Sequence, residues 1–118
     1  MNYRATKIRV ICDEETVREW AAYMRAHIDE ASMALRNEGV RHEMWFMGRD
    51  PSLFVIGVMD VDDVAASRQV AVKSRLSVDE VHRGFKAFWD KDSLQTLAVD
   101  RTEVPRFEDC ELLFEVRS

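Results

Sequence analysis

Three side chains in this sequence have the chemistry and the neighbourhood for acid–base work: Glu43, His82 and His27. Glu43 lies in VRHEMWFM, a run with strand alternation, so its carboxyl stands among apolar neighbours. A carboxyl held in such a place has a raised pKa and can act as a general acid or base. The competing reading is an ion pair with Arg41, Arg9 or Lys7 on the same face, which would only balance charge. His82 falls on the stripe Val78, Val81, His82, Phe85, Phe88 and Trp89. A histidine there either packs as a hydrogen-bonded core residue or partners Glu43. His27 stands beside Trp20 and Tyr23 on one edge of an earlier helix, an edge that walls a pocket or forms a half-exposed packing cluster. Around these, Arg41 reads as an anion clamp and Trp20 and Trp45 as apolar walls, with Arg9 and Tyr23 completing the ligand-binding set. His42, alternating with Val40 and Met44, reads as structural.

Other chemistries lack their signatures. The three histidines and the nearby acids show no metal-ligand spacing, so no metal site is expected. No glycine-rich loop cradles a phosphate, and no Ser or Cys nucleophile has a base close in sequence. The expectation is a protein with no dissociable cofactor. Cys12 and Cys110 are too few for a disulfide framework and read as small buried hydrophobes, reduced in a cytosol.

The elements that must position these residues are legible from periodicity. Ala5 to Cys12 reads as a first strand. Asp13 is a good N-cap, and Val17, Trp20, Ala21, Met24, Ile28, Ala31 and Leu35 form one helical stripe that ends at Gly39. Strand two is Val40 to Met47, with Val40, His42, Met44 and Phe46 expected to face the helices and Arg41, Glu43, Trp45 and Met47 the far side. Gly48 to Ser52 is a turn. Strand three, Leu53 to Val61, is apolar on both faces, which requires that both be covered. Asp62-Asp63 caps a helix to about Lys73, and Ser77-Val-Asp-Glu80 reads as a capping box for another that runs to about Trp89. Residues 92 to 109 read as loop with a short element at Leu94 to Val99, and Cys110 to Arg117 as the last strand. Among the methionines, Met24, Met44 and Met59 read as core filler, and Met33 faces away from the main stripe.

With 118 residues the chain is one domain (1–118), able to bury roughly two-thirds of its unfolded surface. Charged residues at 33% and apolar ones at 47% suit a soluble globular protein. A net charge of −5 speaks against nucleic acid as a partner. No apolar run has transmembrane length and the N-terminus lacks a signal-peptide core, so a cytoplasmic protein with no membrane partner is expected.

Strand, helix, strand, strand, helix, strand with right-handed crossovers predicts an α+β, ferredoxin-like βαββαβ sandwich. Its four-stranded antiparallel sheet carries helices on one face, and strand one lies between strands three and four. That arrangement brings Cys12 near Cys110. The far sheet face is then an apolar surface, and pairing with a second copy is one way to bury it. The expected homodimer encloses a barrel lined by Arg41, Glu43, Trp45, Lys7 and Arg9. A monomer whose own tail or loop crosses the face is the alternative.

The segments EETVREW, DEASMALRNEGVRHEMWF, LFVIGVMDV and SVDEVHRGF resemble a family of small, functionally uncharacterised bacterial proteins. That family is similar to the dimeric α/β-barrel superfamily, and the likeness covers about residues 5 to 90. A more distant resemblance is to L-rhamnose mutarotases. Aligned on Gly39, the family's strand tyrosine falls at Glu43, its tryptophan pair near Gly84 and Phe85, and its helix histidine near Tyr23 and Met24. The resemblance implies that Glu43 faces the barrel cavity.

Two functions are carried forward. One is a cofactor-independent enzyme acting by proton transfer on a compact metabolite, of isomerase, mutarotase, cyclase or monooxygenase type. Glu43 is then the acid/base, with His82 or His27 as its partner. The other is a non-catalytic ligand-binding or structural module with a packed core.

Overall fold

Helix-start and helix-stop chemistry sets the boundaries. In the computed structural model, which describes all 118 residues, β1 (Tyr3–Arg9) leads to Asp13. The Asp13 carboxylate accepts from the Thr16 amide at 2.9 Å and opens α1 (Glu14–Ala26). The expected single helix breaks at His27 (φ −118°, ψ 38°), and α2 (Ile28–Glu38) follows. The His27 ring places Nδ1 2.8 Å from the Tyr23 carbonyl oxygen, an acceptor that its own backbone N–H also uses. A side chain that competes with the helical ladder in this way disturbs the turn. Gly39 closes α2 at φ 73°, the left-handed conformation that glycine adopts without steric cost.

β2 (Val40–Arg49) and β3 (Leu53–Val61) follow, then α3 (Val64–Lys73), whose N-cap Asp63 accepts from the Ala66 amide at 3.0 Å. α4 (Ser77–Lys86) is capped from a distance rather than by the expected box. Glu30 of α2 accepts from Ser77 Oγ at 2.7 Å and from the Val78 amide at 3.0 Å, so one carboxylate pins α4 to α2. After α4, Trp89 bridges to Val10, and a single 3-10 turn (Lys91–Ser93) leads to β4 (Gln95–Leu97) and β5 (Glu111–Arg117).

All strand pairs are antiparallel, and the sheet has five strands in the order β4-β1-β3-β2-β5. The α+β class is as expected, but the four-stranded sheet is not. The three-residue β4 takes the place beside β1, and the C-terminal strand pairs with β2 on the opposite edge. Cys12 and Cys110 therefore do not meet. Cys12 packs on the helix-side core and Cys110 on the cluster across the sheet, and both are free thiols.

The faces of β2 are also exchanged. Its ladder with β3 shifts register between Val40 and His42, leaving Arg41 without a partner. One extra residue in a strand turns every later side chain to the other face. Val40 still faces the helices, but beyond the bulge Trp45 and Met47 join it in the helix-side core, while Met44 and Phe46 lie on the far face. His42 goes with the far face: its Nδ1 lies 2.9 Å from the Tyr3 hydroxyl and its Nε2 2.8 Å from a Glu115 carboxylate oxygen.

The far face is covered by the chain itself. Tyr3, Ala5, Met44, Phe46, Phe54, Ile56 and Val58 are buried there beneath Leu97, Val99, Val104, Phe107 and Cys110. The barrel expected between two copies was to have been built on this face. The strap of residues 97–110 packs over it instead.

Candidate functional site

The exchange of faces moves Glu43 and Trp45 beneath the helices. There the sheet and helices α2, α3 and α4 enclose a cavity of about 340 Å³. Its floor is Thr6 and Ile8 of β1, Gly57 and Met59 of β3, and Glu43 and Trp45 of β2. The Trp45 indole lies across β3, where a Cβ on Gly57 would come within 2.6 Å of the ring. Glycine is required at that position for the indole to lie flat, and the indole in turn holds Glu43: its Nε1–H donates to Glu43 Oε1 at 2.8 Å.

α4 supplies the polar wall. Asp79, His82 and Lys86 recur at three and four residues, one stripe beside the apolar Val78 and Phe85. α2 contributes Glu38 from its last turn, and α3 closes the remaining side with Val64, Ser67, Arg68, Ala71 and Val72. Only Ser67 of α3 is buried, so that helix rests on the rest of the fold as a cover. Arg83 ties down its end by donating to the carbonyls of Ala71 and Ser74, each at 2.8 Å.

Charge in this space is shifted towards neutrality. Burial, followed by the negative charges of Asp79 and Glu43 and a hydrogen bond shared with Asp79, pushes the Glu38 carboxyl up to about 8. Asp79 also accepts from the Ser74 hydroxyl. Burial raises Glu43 as well, against the Trp45 hydrogen bond and the charge of Lys86. Burial brings His82 down to about 3, with Lys86 and Arg83 adding to the effect, so its imidazole is neutral at physiological pH. Burial lowers Lys86, opposed by the charge of Glu43. Nδ1 of His82 has neither solvent nor a hydrogen-bond partner.

Of the expected site residues, the fold brings Glu43, His82 and Trp45 to one cavity. Trp20 stands behind them, its ring 5.6 Å from His82 and stacked on Phe85 at 4.0 Å with 6° between the planes. The others lie elsewhere. His27 stacks on Tyr23 at 4.0 Å, away from the cavity. Arg41 is the bulged residue of β2 and is held by Asp60 (2.6 Å) and Asp62 (2.8 Å), so the anion clamp is occupied. Arg9 pairs with Asp90 at a second, smaller cavity beside Lys7, Ser52 and Ser93.

Glu38, Asp79 and Lys86 also line the cavity, and the sequence alone does not single them out. Glu38 and Asp79 look like ordinary helix-end acids, and only the 79-82-86 spacing hinted that a polar stripe runs beside the apolar one. No group of three or more His, Cys, Asp or Glu side chains is arranged to hold a metal ion. No helix is long and apolar enough to cross a membrane.

Residues 1–104 match a family described as a family of unknown function, DUF6176. Every residue of the cavity lies within that span, and β5 lies outside it. No curated protein and no solved structure matches.

Proposed function

Since the chain belongs to DUF6176, a family of unknown function, we propose a role from its cavity: it binds a compact small molecule beneath α2, α3 and α4 and moves a proton within it, without a dissociable cofactor. The supporting observation is that two carboxyls with raised pKa, Glu38 and Glu43, open onto one space with a neutral imidazole. Acid–base work near neutral pH needs such groups, because an ordinary carboxyl is too weak a base and too rarely protonated. In this reading the Glu43 carboxylate takes a proton from the substrate. The Glu38 carboxylic acid returns one at another atom, for a net isomerisation. His82 hydrogen-bonds as a neutral group, and Trp45 and Trp89 wall the space. The site is complete in one chain and needs no second copy.

The alternative is a binding module without turnover. It is favoured by one feature: Glu43 already accepts a hydrogen bond from the Trp45 indole N–H at 2.8 Å. One experiment separates the two. Compounds that raise the melting temperature of the protein are incubated with it in D₂O, and deuterium uptake is followed by NMR. Proton transfer predicts uptake that falls by about 10²–10⁴-fold in Glu43→Gln while binding persists. Binding with no uptake, or uptake indifferent to Glu43→Gln, overturns the catalytic reading.

A further inference from the structure

Besides His82 Nδ1, the polar groups of the cavity that no protein carboxylate meets are donors. Glu43 receives the Trp45 N–H, and Asp79 accepts from the Ser74 hydroxyl. Trp89 also lines the cavity, and its indole nitrogen is out of solvent with no acceptor in the protein. Lys86 Nζ stands over the same ring, 5.4 Å from its centroid. It lines the cavity with three carboxyls yet pairs with none of them within 4.0 Å. Buried donors in folded proteins are almost always met by an acceptor, and leaving one unmet is destabilising. An orphaned indole N–H in a cavity, beside an ammonium that no carboxylate holds, marks the place of a ligand atom.

We propose that the ligand carries an acceptor oxygen, as a carbonyl or a carboxylate, that sits between Lys86 Nζ and the Trp89 indole N–H, with an apolar body against Met24, Leu35, Met59, Val64 and Val78. The inference rests on the cavity being a ligand site and names the class of molecule it takes. An amine is disfavoured at this position, because it offers the Trp89 N–H no acceptor and its charge would meet that of Lys86. A carbonyl fits the proton transfer directly: as a neighbouring C–H proton leaves to Glu43, the oxygen gains the negative charge that Lys86 and the indole N–H are placed to hold.

Three probes of one shape test this: benzyl methyl ketone, phenylacetate and phenethylamine, added to the full chain labelled with ¹⁵N at tryptophan. The expected result is that the ketone, the carboxylate or both bind and shift the Trp89 indole resonance downfield, and that the amine binds at least about tenfold more weakly. Which of the two oxygen heads binds tighter identifies the natural group. Lys86→Met weakens the oxygen-headed probes by about tenfold and leaves the amine unchanged or improved. Trp89→Phe keeps the ring and lowers the same affinities by a smaller factor. Preference for the amine, oxygen-headed binding that leaves the Trp89 resonance unmoved, or no binding by any probe overturns the proposal. Binding as expected with no deuterium uptake at the ketone's α-carbon retains this inference while counting against the proton-transfer function.

Discussion

Trp45 donates its indole N–H to Glu43 Oε1 at 2.8 Å, two residues back on the same strand face. The contact exists because Gly57 of β3 leaves room for the indole to lie across the sheet. The hydrogen bond favours the ionised carboxylate and so opposes the effect of burial. Trp45→Phe removes only the donor. The expected outcome is a Glu43 carboxyl that titrates at still higher pH, read by ¹³C NMR on glutamate-labelled protein. The acidic limb of any pH–rate profile moves up with it. Gly57→Ala reaches the same carboxyl by another route. The new methyl collides with the indole, costing about 1–3 kcal/mol and breaking the Trp45–Glu43 contact. A Glu43 titration unchanged in both variants would show that the indole does not tune the carboxyl.

Glu38 sets a pH dependence of stability. Its folded pKa, about 8, is above the ordinary value of 4.5. Below about 4.5 both folded and unfolded states hold the proton and nothing is lost. As pH rises from there through about 8 the unfolded state releases the proton first, so stability falls across that window. Glu38→Gln keeps a hydrogen-bond donor for Asp79 and cannot ionise. The variant is expected to be more stable than the parent at pH 8 by about 1–2 kcal/mol, less than the whole shift implies because the group is only partly buried. Near pH 4 the two should unfold alike. Urea titrations at both values check this, and parallel pH curves would remove Glu38 as their source.

His82 acts at the other end of the scale. Its folded pKa, near 3, lies below the ordinary 6.5. Above 6.5 neither state carries the extra proton; as pH falls towards 3 only the unfolded state takes it up, so stability is lost on acidification. His82→Phe keeps a ring between Trp20 and Trp45 and removes that acid sensitivity, which would show as a flatter melting-temperature profile between pH 6 and pH 4. An unaltered acid profile would mean that His82 is charged in the folded protein.

How far the sequence spoke depended on whether the signal was local. Asp13 and Asp63 as N-caps, Gly39 as the left-handed stop and β3 as a strand covered on both faces are all properties of a few adjacent residues, and all are found in the structure. The orientation of β2 is not local. A bulge at Arg41 decides it, and nothing in VRHEM announces one, so the alternation carries the right period but not the right face. Val99, Val104 and Phe107 are too widely spaced to show a period, yet they cover the far face of the sheet. The site was half legible for the same reason. Glu43 and His82 stood out as polar residues in apolar runs, whereas Glu38, Asp79 and Lys86 acquire meaning only when α2 and α4 are brought against the same strand.

The exchanged strand face leaves a chain of polar groups, two buried and the third at the surface, whose worth can be measured. Tyr3 of β1, His42 of β2 and Glu115 of β5 are joined by hydrogen bonds of 2.9 and 2.8 Å, with Tyr3 and His42 only 2% and 1% exposed. Tyr3→Phe leaves one His42 nitrogen without a partner, and the expected cost is about 1–3 kcal/mol in urea unfolding. Adding His42→Phe should cost less than the sum of the two single changes, because the orphaned group is then gone. Ligand affinity in the cavity on the opposite face should not change. Additive costs would show that the pair is not coupled.

The strap determines whether the far face is free to associate. Phe107 meets Phe46 edge to face, centroids 5.1 Å apart, at the centre of the cluster it covers. Phe107→Ser removes that cover and places a hydroxyl over Phe46, Ile56 and Val58. A loss of about 2–4 kcal/mol is expected, together with self-association, because an apolar sheet face of this size does not remain bare in water. The parent chain should scatter light as one copy at micromolar concentration. If the parent is already a dimer and Phe107→Ser does not tighten it, association runs through some other surface and the strap is only a structural cover. If the variant alone associates, the same apolar face can be satisfied either by residues 97–110 or by a second copy, and the strap is what selects the first.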